Sequence, residues 1–422
     1  MKNNDRVLPS VHRDLRYSRL LYGLLFLFPL AGNTVTSWTG VIFAFIFLTS
    51  LLTWKSFKFD LTKSEKFLLS IVLCIFFVTV ASNLSNGWEY AQTRGLGVYA
   101  RWVLFVPVYL YIRKHNESFF WLANGSALAG FVLLIQCLFD LFYYDLDRAH
   151  GVYDSPGLIG IQSIVFAITI IGALKRYHTN KVARLFYLLS LAFMICAFFL
   201  SGSRSSYFLL VVFIPVLCFL FLRLKEALSL IFLFFILFGS LYLISDFVAN
   251  RVNSGLTEIS AYWNDETPAK SQLASAGLRI EMWKVSLMIH QDNPVLGVGW
   301  RNFQSNAELF ADSGRVSALA VQSPHPHNTY LEFLVTTGTV GLFCLIALLA
   351  HGVQVGRNVA KTKPLEGNAL LVFMLVFIFN GVNEGGSFIY GNALSFFLIY
   401  LAVFFSSAQP DLESTSPRSA NH

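Results

Sequence analysis

The sequence predicts an all-α polytopic membrane protein with about twelve transmembrane helices and one large extramembrane loop, and three observations point to it. Hydrophobic residues make up 55% of the 422 residues and charged residues only 13%, more apolar surface than one soluble core could bury. The apolar residues gather into runs of spanning length. The Lys and Arg residues gather into every second connection between those runs.

A helix that crosses a bilayer needs about 20 mainly apolar residues to cover roughly 30 Å of hydrocarbon, and satisfies its own backbone hydrogen bonds there. Such runs lie near 18–35, 37–54, 66–83, 98–113, 118–142, 157–174, 184–200, 205–222, 226–245, 327–352, 366–382 and 387–406. The first follows a basic stretch through Arg19 and reads as an uncleaved span, because equally apolar runs follow it. The merged stretch 205–245 is divided at Arg223, Lys225 and Glu226. A mean hydropathy of +0.59 and 42 Phe residues agree with lipid as part of the solvent. Cys74, Cys137, Cys196, Cys218 and Cys344 all fall inside apolar runs, as small hydrophobes rather than a disulfide framework.

Cytoplasmic connections carry an excess of Lys and Arg, which sets orientation. With the amino terminus inside, 21 of the 31 basic residues fall on the cytoplasmic side, and an even number of spans keeps both ends there. The other ten are Arg94, Arg101, Arg148, Arg204, Arg251, Lys270, Arg279, Lys284, Arg301 and Arg315. Topology does not explain these. Arg101 and Arg204 lie against spans, where a cation is costly unless it pairs, lines a wet cavity or snorkels to the interface.

This gives helices one to nine over 1–245, a large periplasmic loop with an amphipathic helix over 246–326, helices ten to twelve over 327–406, and a disordered cytoplasmic tail over 407–422. The loop holds eight acidic and six basic residues between Asp246 and His325, so it is no polycationic surface for nucleic acid. Within it, Leu278, Met282, Val285 and Ile289 form one helical stripe, with Arg279 and Trp283 on a neighbouring face. Asn293-Pro294 ends that helix and Gly297-Val298-Gly299 makes a tight turn.

The sharpest local feature is Ser323-Pro324-His325-Pro326-His327-Asn328, where the loop returns to the membrane. The prolines fix the entering backbone and place His327 at the first turn of the tenth span. An imidazole held there suits a general base, since a helix amino terminus keeps it neutral near pH 7. An equally open reading is a cap, whose His and Asn only satisfy free backbone N–H groups. Glu332 could orient the imidazole or pair with an arginine, and Asn383 and Glu384 beside Gly385-Gly386 are placed to line a cavity.

His327-Asn328, then nine intervening residues, then Gly338-Thr339-Val340-Gly341, resembles the signature of the O-antigen ligase and polymerase superfamily. Asn293-Pro294-Val295-Leu296-Gly297-Val298-Gly299 resembles its Pro-x-x-Gly-x-Gly segment, and Leu200-Ser201-Gly202-Ser203-Arg204-Ser205 its Ser-Arg element. Arg148 with Gly151 and Pro156 looks like a fourth piece, so the likeness covers roughly residues 145 to 345. The resemblance implies a GT-C type helical membrane fold and a metal-independent, inverting glycosyltransferase without cofactor, acting on polyprenyl-diphosphate-linked glycans. It further implies transfer of O-antigen polysaccharide from undecaprenyl diphosphate to lipid A-core oligosaccharide, at the periplasmic face of a bacterial inner membrane.

The residue types make physical sense of that chemistry. A diphosphate leaving group needs fixed cations, and guanidinium forks bind phosphate oxygens at two points. His327, Arg204 and Arg279 are therefore the candidate catalytic residues. Arg148, Arg101, Arg94, His325, Asn328, Trp283 and Glu332 are candidate substrate contacts. Asp145-Leu146-Asp147 has metal-pair spacing but lies beside Arg148, and no metal ligand set is assigned. The expected partners are the lipid-linked donor, the lipid A-core acceptor and membrane lipids, with no nucleic acid. An O-antigen polymerase, a protein O-oligosaccharyltransferase and a transporter of lipid-linked glycan are the alternatives.

Overall fold

The structure, a computed structural model, describes residues 9–57, 59–88, 90–152, 155–174, 176, 179–264 and 275–409. Among these residues there are fifteen α-helices and no strand. Nine helices come first: α1 (Pro9–Thr34), α2 (Trp38–Leu52), α3 (Lys63–Ser85), α4 (Tyr90–Arg113), α5 (Ser118–Phe142), α6 (Pro156–Leu174), α7 (Lys181–Leu200), α8 (Arg204–Phe221) and α9 (Leu224–Ile244). Then follow α10 (Asp246–Asn264), α11 (Ser275–Asp292), α12 (Phe303–Asp312), α13 (Thr329–Val359), α14 (Pro364–Asn380) and α15 (Gly391–Ser407). Each of the twelve apolar runs coincides with one of α1 to α9 and α13 to α15. Seven helices, α3 to α7, α9 and α13, contain windows long and apolar enough to cross a membrane, while α2, α8, α14 and α15 are shorter apolar helices. The chain is thus an all-helical polytopic membrane protein.

Local chemistry accounts for the helix ends. Thr62 and Glu65 form a capping box at the start of α3: Glu65 N–H donates to Thr62 Oγ1 at 3.2 Å and Thr62 N–H to Glu65 Oε2 at 2.8 Å. Arg223 N–H donates to Glu226 Oε2 at 3.2 Å, so the charged triplet does separate α8 from α9. Pro364 opens α14, where a missing N–H costs nothing.

The core forms around α15, buried without interruption from Leu394 to Phe405 and apolar on all sides. Helices α4, α14 and α2 pack on it, and α1 lies along α5. At the opposite extreme, only Ala227 of α9 is buried, and Leu243 and Ile244 are 82% and 85% exposed. Bare apolar surface of that extent is stable only against lipid.

The segment expected to hold one amphipathic helix holds three, α10 to α12. The missed helices are short or polar: on α12 only Phe303 and Ala307, one turn apart, are buried. They join Met282, Val285 and Ile289 of α11, with Val298, Val316, Ala320, Val321 and Val335, in a second core separate from the main one. The apolar stripe of α11 is therefore spent on protein. The tail also begins later than expected, because Ala408 and Gln409 are buried; Lys363 Nζ donates to Gln409 O at 3.0 Å and Thr62 Oγ1 to Gln409 Oε1 at 3.1 Å. The remainder of the expected disordered tail, 410–422, lies outside the described residues.

Candidate active site

The two glycine-bearing motifs meet. Helix α13 is broken at Gly338, which has φ 67° and ψ −167°, leaving carbonyls of the preceding turn without helical partners. Backbone N–H groups of the Pro-x-x-Gly-x-Gly segment fill them: Val298 N–H donates to Val335 O at 2.8 Å and Gly299 N–H to Thr336 O at 3.1 Å. In return, Thr339 N–H and Oγ1 each donate to Pro294 O at 2.9 Å. Gly297 has φ 68°, and a Cβ there would run into the Val335 carbonyl; one at Gly338 would meet that of Val295. Both positions need glycine for approach and for backbone conformation. From α3, Asn83 Oδ1 accepts Trp300 N–H at 2.8 Å and Ser82 Oγ donates to Thr336 O at 2.7 Å.

This joint fixes the start of α13, and the histidine segment runs into it. Asn328 is the N-cap: its Oδ1 accepts from Tyr330 N at 3.0 Å and Leu331 N at 3.1 Å, and its Nδ2 donates to Val382 O at 3.0 Å. Thr329 donates from N to Gly381 O at 2.7 Å and from Oγ1 to Glu384 O at 2.6 Å, clamping the segment to the α14–α15 connection. Trp283 Nε1 donates to Pro326 O at 3.1 Å, so this tryptophan of α11 holds the histidine segment.

His327 does not sit in the first turn of the helix, as the prolines suggested. The Asn328 cap starts α13 at Thr329, and His327 precedes it with a left-handed φ of 51°. A side-chain-bearing residue in that region costs about 1–3 kcal/mol and persists where its surroundings hold it.

Both histidines line a cavity of ≈ 370 Å³ with Gln162, Glu384, Asn392 and Tyr390, walled on the apolar side by Leu158, Ile161, Phe377 and Phe396. Nδ1 of His327 is buried without a hydrogen-bond partner among the described residues. Burial, with Arg279 second, lowers the His327 pKa to about 4. Burial, His327 and Arg279 lower that of His325 to about 3. Both rings are therefore neutral at pH 7. Burial pushes the Glu384 carboxyl up, partly offset by Gly386 N–H, which donates to its Oε1 at 3.1 Å, and by Arg279. Arg279, partly buried on α11, thus acts on all three groups.

Arg204 opens α8 and its side chain runs along Gly255 of α10. Gly157 is the link from here to the cavity, since a Cβ on it would lie 3.5 Å from Glu384 Oε2 and within 3.9 Å of the Ser203 and Ser205 hydroxyls. Arg101 reaches the cavity margin from α4: its guanidinium packs on Gly391 and Gly40, close to Asn392, with Nη1 buried and unpartnered among the described residues. Arg148 is partly buried in a loop docked on the end of α7 through Ala149 N–H to Leu200 O at 3.0 Å, and Asp140 supports it by accepting His150 N–H and Gly151 N–H. The side chain of Arg94 lies outside the described residues. Glu332 is buried in α13 with Oε2 unpartnered among the described residues, and its charged neighbour is Arg301, not His327.

Gln162, Asn392 and Thr39 were not legible from sequence as site residues. No motif surrounds them in their apolar runs, and only the packing of α2, α6 and α15 brings them together, with Thr39 Oγ1 donating to Asn392 Oδ1 at 3.2 Å.

No curated protein matches the chain. Arg204, Arg279, His327 and the Gly297/Gly338 joint all fall within residues 189–346, the part of the chain that matches the family model described as O-Antigen ligase.

Proposed function

We propose that the chain is itself an O-antigen ligase, transferring finished polysaccharide from undecaprenyl diphosphate to lipid A-core oligosaccharide by metal-independent, inverting glycosyl transfer. The observation that carries this reading is the unpartnered Nδ1 of a neutral His327 in a cavity with one apolar wall, within the field of Arg279. An orphaned buried acceptor costs about 1–3 kcal/mol, which a substrate hydroxyl donating to it recovers. In the membrane, α1 to α9 and α13 to α15 make twelve crossings of a bacterial inner membrane, with residues 246–326 on the periplasmic side.

The lipid-linked glycan approaches from the apolar wall, and Arg279 and Arg204 hold its diphosphate, with Arg101 at the cavity margin beside Asn392. His327 takes the proton of the acceptor hydroxyl while that oxygen attacks the anomeric carbon. The bond to the diphosphate breaks with its electron pair on the departing oxygen, inverting the anomeric centre. Cations aimed at that oxygen stabilise charge that grows in the transition state. The anion also offsets the Arg279 charge at His327, raising the imidazole pKa towards the working range, so the base strengthens when donor binds.

Blotting lipopolysaccharide from cells carrying His327→Ala tests this reading. Loss of polymer from core with accumulation of long lipid-linked polymer is expected. Accumulation of single lipid-linked repeats would instead make the chain a polymerase.

A further inference from the structure

His325 lines the same cavity, but its bonding gives it a different task. His327 N–H donates to His325 Nδ1 at 3.2 Å. A ring nitrogen that accepts a backbone N–H carries its lone pair there, which puts the proton on Nε2. The bond closes a turn from a side chain to the backbone two residues on, the pattern that Asn and Asp make with a side-chain oxygen in Asx turns. Its product is the left-handed His327, φ 51°, whose ring lies 4.3 Å from that of His325, centroid to centroid.

The surroundings hold His325 in that pose. It is 3% exposed, its carbonyl accepts Ser323 Oγ–H at 2.7 Å, and its ring meets Tyr390 edge-on at 5.7 Å. The fourth side is backbone. A Cβ on Gly385 would lie 2.7 Å from His325 Nδ1 and 3.3 Å from His327 Cα, so only glycine leaves room for the bond.

We infer that His325 is a positioning residue for the proposed transfer: its Nδ1, seated against Gly385, holds the His327 backbone in the left-handed turn that delivers the His327 imidazole to the cavity. The inference rests on the reading of His327 as the base. It predicts which atom of His325 matters. Asn offers an oxygen at the Nδ1 position, whereas Gln places its oxygen where Nε2 lies.

The test is transfer by the purified full chain, with undecaprenyl-diphosphate-linked polymer and lipid A-core as substrates. A misplacement of about 1 Å costs on the order of 100-fold in rate, so His325→Ala and His325→Gln are expected to lower kcat by about that factor while the donor KM holds. His325→Asn is expected to recover kcat to within about tenfold of the parent, since it restores the turn. Gly385→Ala, with both histidines intact, is expected to behave as His325→Ala. Equal damage from Asn and Ala, better function with Gln than with Asn, or a loss confined to KM would overturn the inference. Full activity of His327→Ala would instead remove the reading of the base itself. If the variants do not fold, nitrogen-15 spectra of histidine-labelled parent protein decide: a protonated Nε2 on His325 is expected, and a protonated Nδ1 contradicts the turn.

Discussion

Replacing Gly297 by Ala attacks the joint on which the site is built. The residue has φ 68°, and its Cβ would strike the Val335 carbonyl, which already accepts Val298 N–H at 2.8 Å. The left-handed backbone costs a residue with a Cβ about 1–2 kcal/mol. Pushing the two segments of the joint apart also loses the bonds to Val335 O and Thr336 O, at about 0.5–1.5 kcal/mol each, and more if the groups stay buried. The sum is about 2–5 kcal/mol. Gly314→Ala is the internal control: Gly314 has φ 75°, but nothing lies within 4 Å of where its Cβ would be, so only the backbone cost applies. Thermal unfolding of the detergent-solubilised chain is the assay. Gly297→Ala should melt well below Gly314→Ala and lose transfer activity. Equal melting temperatures for the two variants would refute the docked joint.

The acid limb of kcat should lie at higher pH than that of kcat/KM, because the free site holds His327 near pKa 4 and the bound diphosphate raises it; superimposed limbs near the ordinary histidine value would contradict the proposed field of Arg279. Both histidines are depressed, so the unfolded chain binds more protons below about pH 6.5, and their contribution to stability should fall as pH drops from there towards 4, opposite in sign to that of Glu384, whose raised carboxyl loses stability as pH rises; His325→Asn should flatten the acid-side fall in thermal melts. Arg113 and Glu65 form a buried ion pair at the other end of the bundle, joined by Tyr109 Oη at 2.7 Å from Glu65 Oε1, so Arg113→Met alone should cost about 3–5 kcal/mol and Glu65→Gln in the same chain should restore part of it in thermal melts. Arg101→Lys loses the planar fork and should raise the donor KM by about tenfold with kcat nearly unchanged.

The apolar runs were readable because a spanning helix announces itself by length, and the charged triplet at Arg223 was enough to divide α8 from α9. The Gly297 and Gly338 motifs were readable as a likeness, but their partnership was not: two glycines 41 positions apart carry no sign that each makes room for the other's backbone. Asn328 carried both a cap signal and a binding signal, and the cap prevails because its Oδ1 and Nδ2 are both engaged. His327 fell outside the helix for the same reason. The polar lining drawn from Thr39, Gln162 and Asn392 had no local signature, since it exists only once three distant helices converge. Helix α12 had no continuous apolar stripe to announce it, since only Phe303 and Ala307 are buried and the second core they join is assembled from short, scattered contributions; α10 is placed by packing on α8, α9 and α11.

The central claim is that the His327 imidazole removes a proton from an acceptor hydroxyl as the glycan leaves undecaprenyl diphosphate. Its most direct test is single-turnover transfer to lipid A-core by the purified chain in detergent with EDTA present, comparing the parent with His327→Ala at saturating donor. The account predicts unimpaired transfer by the parent and, with donor still bound, a rate about 100-fold or more lower for the variant. Equal rates from the two proteins would contradict it.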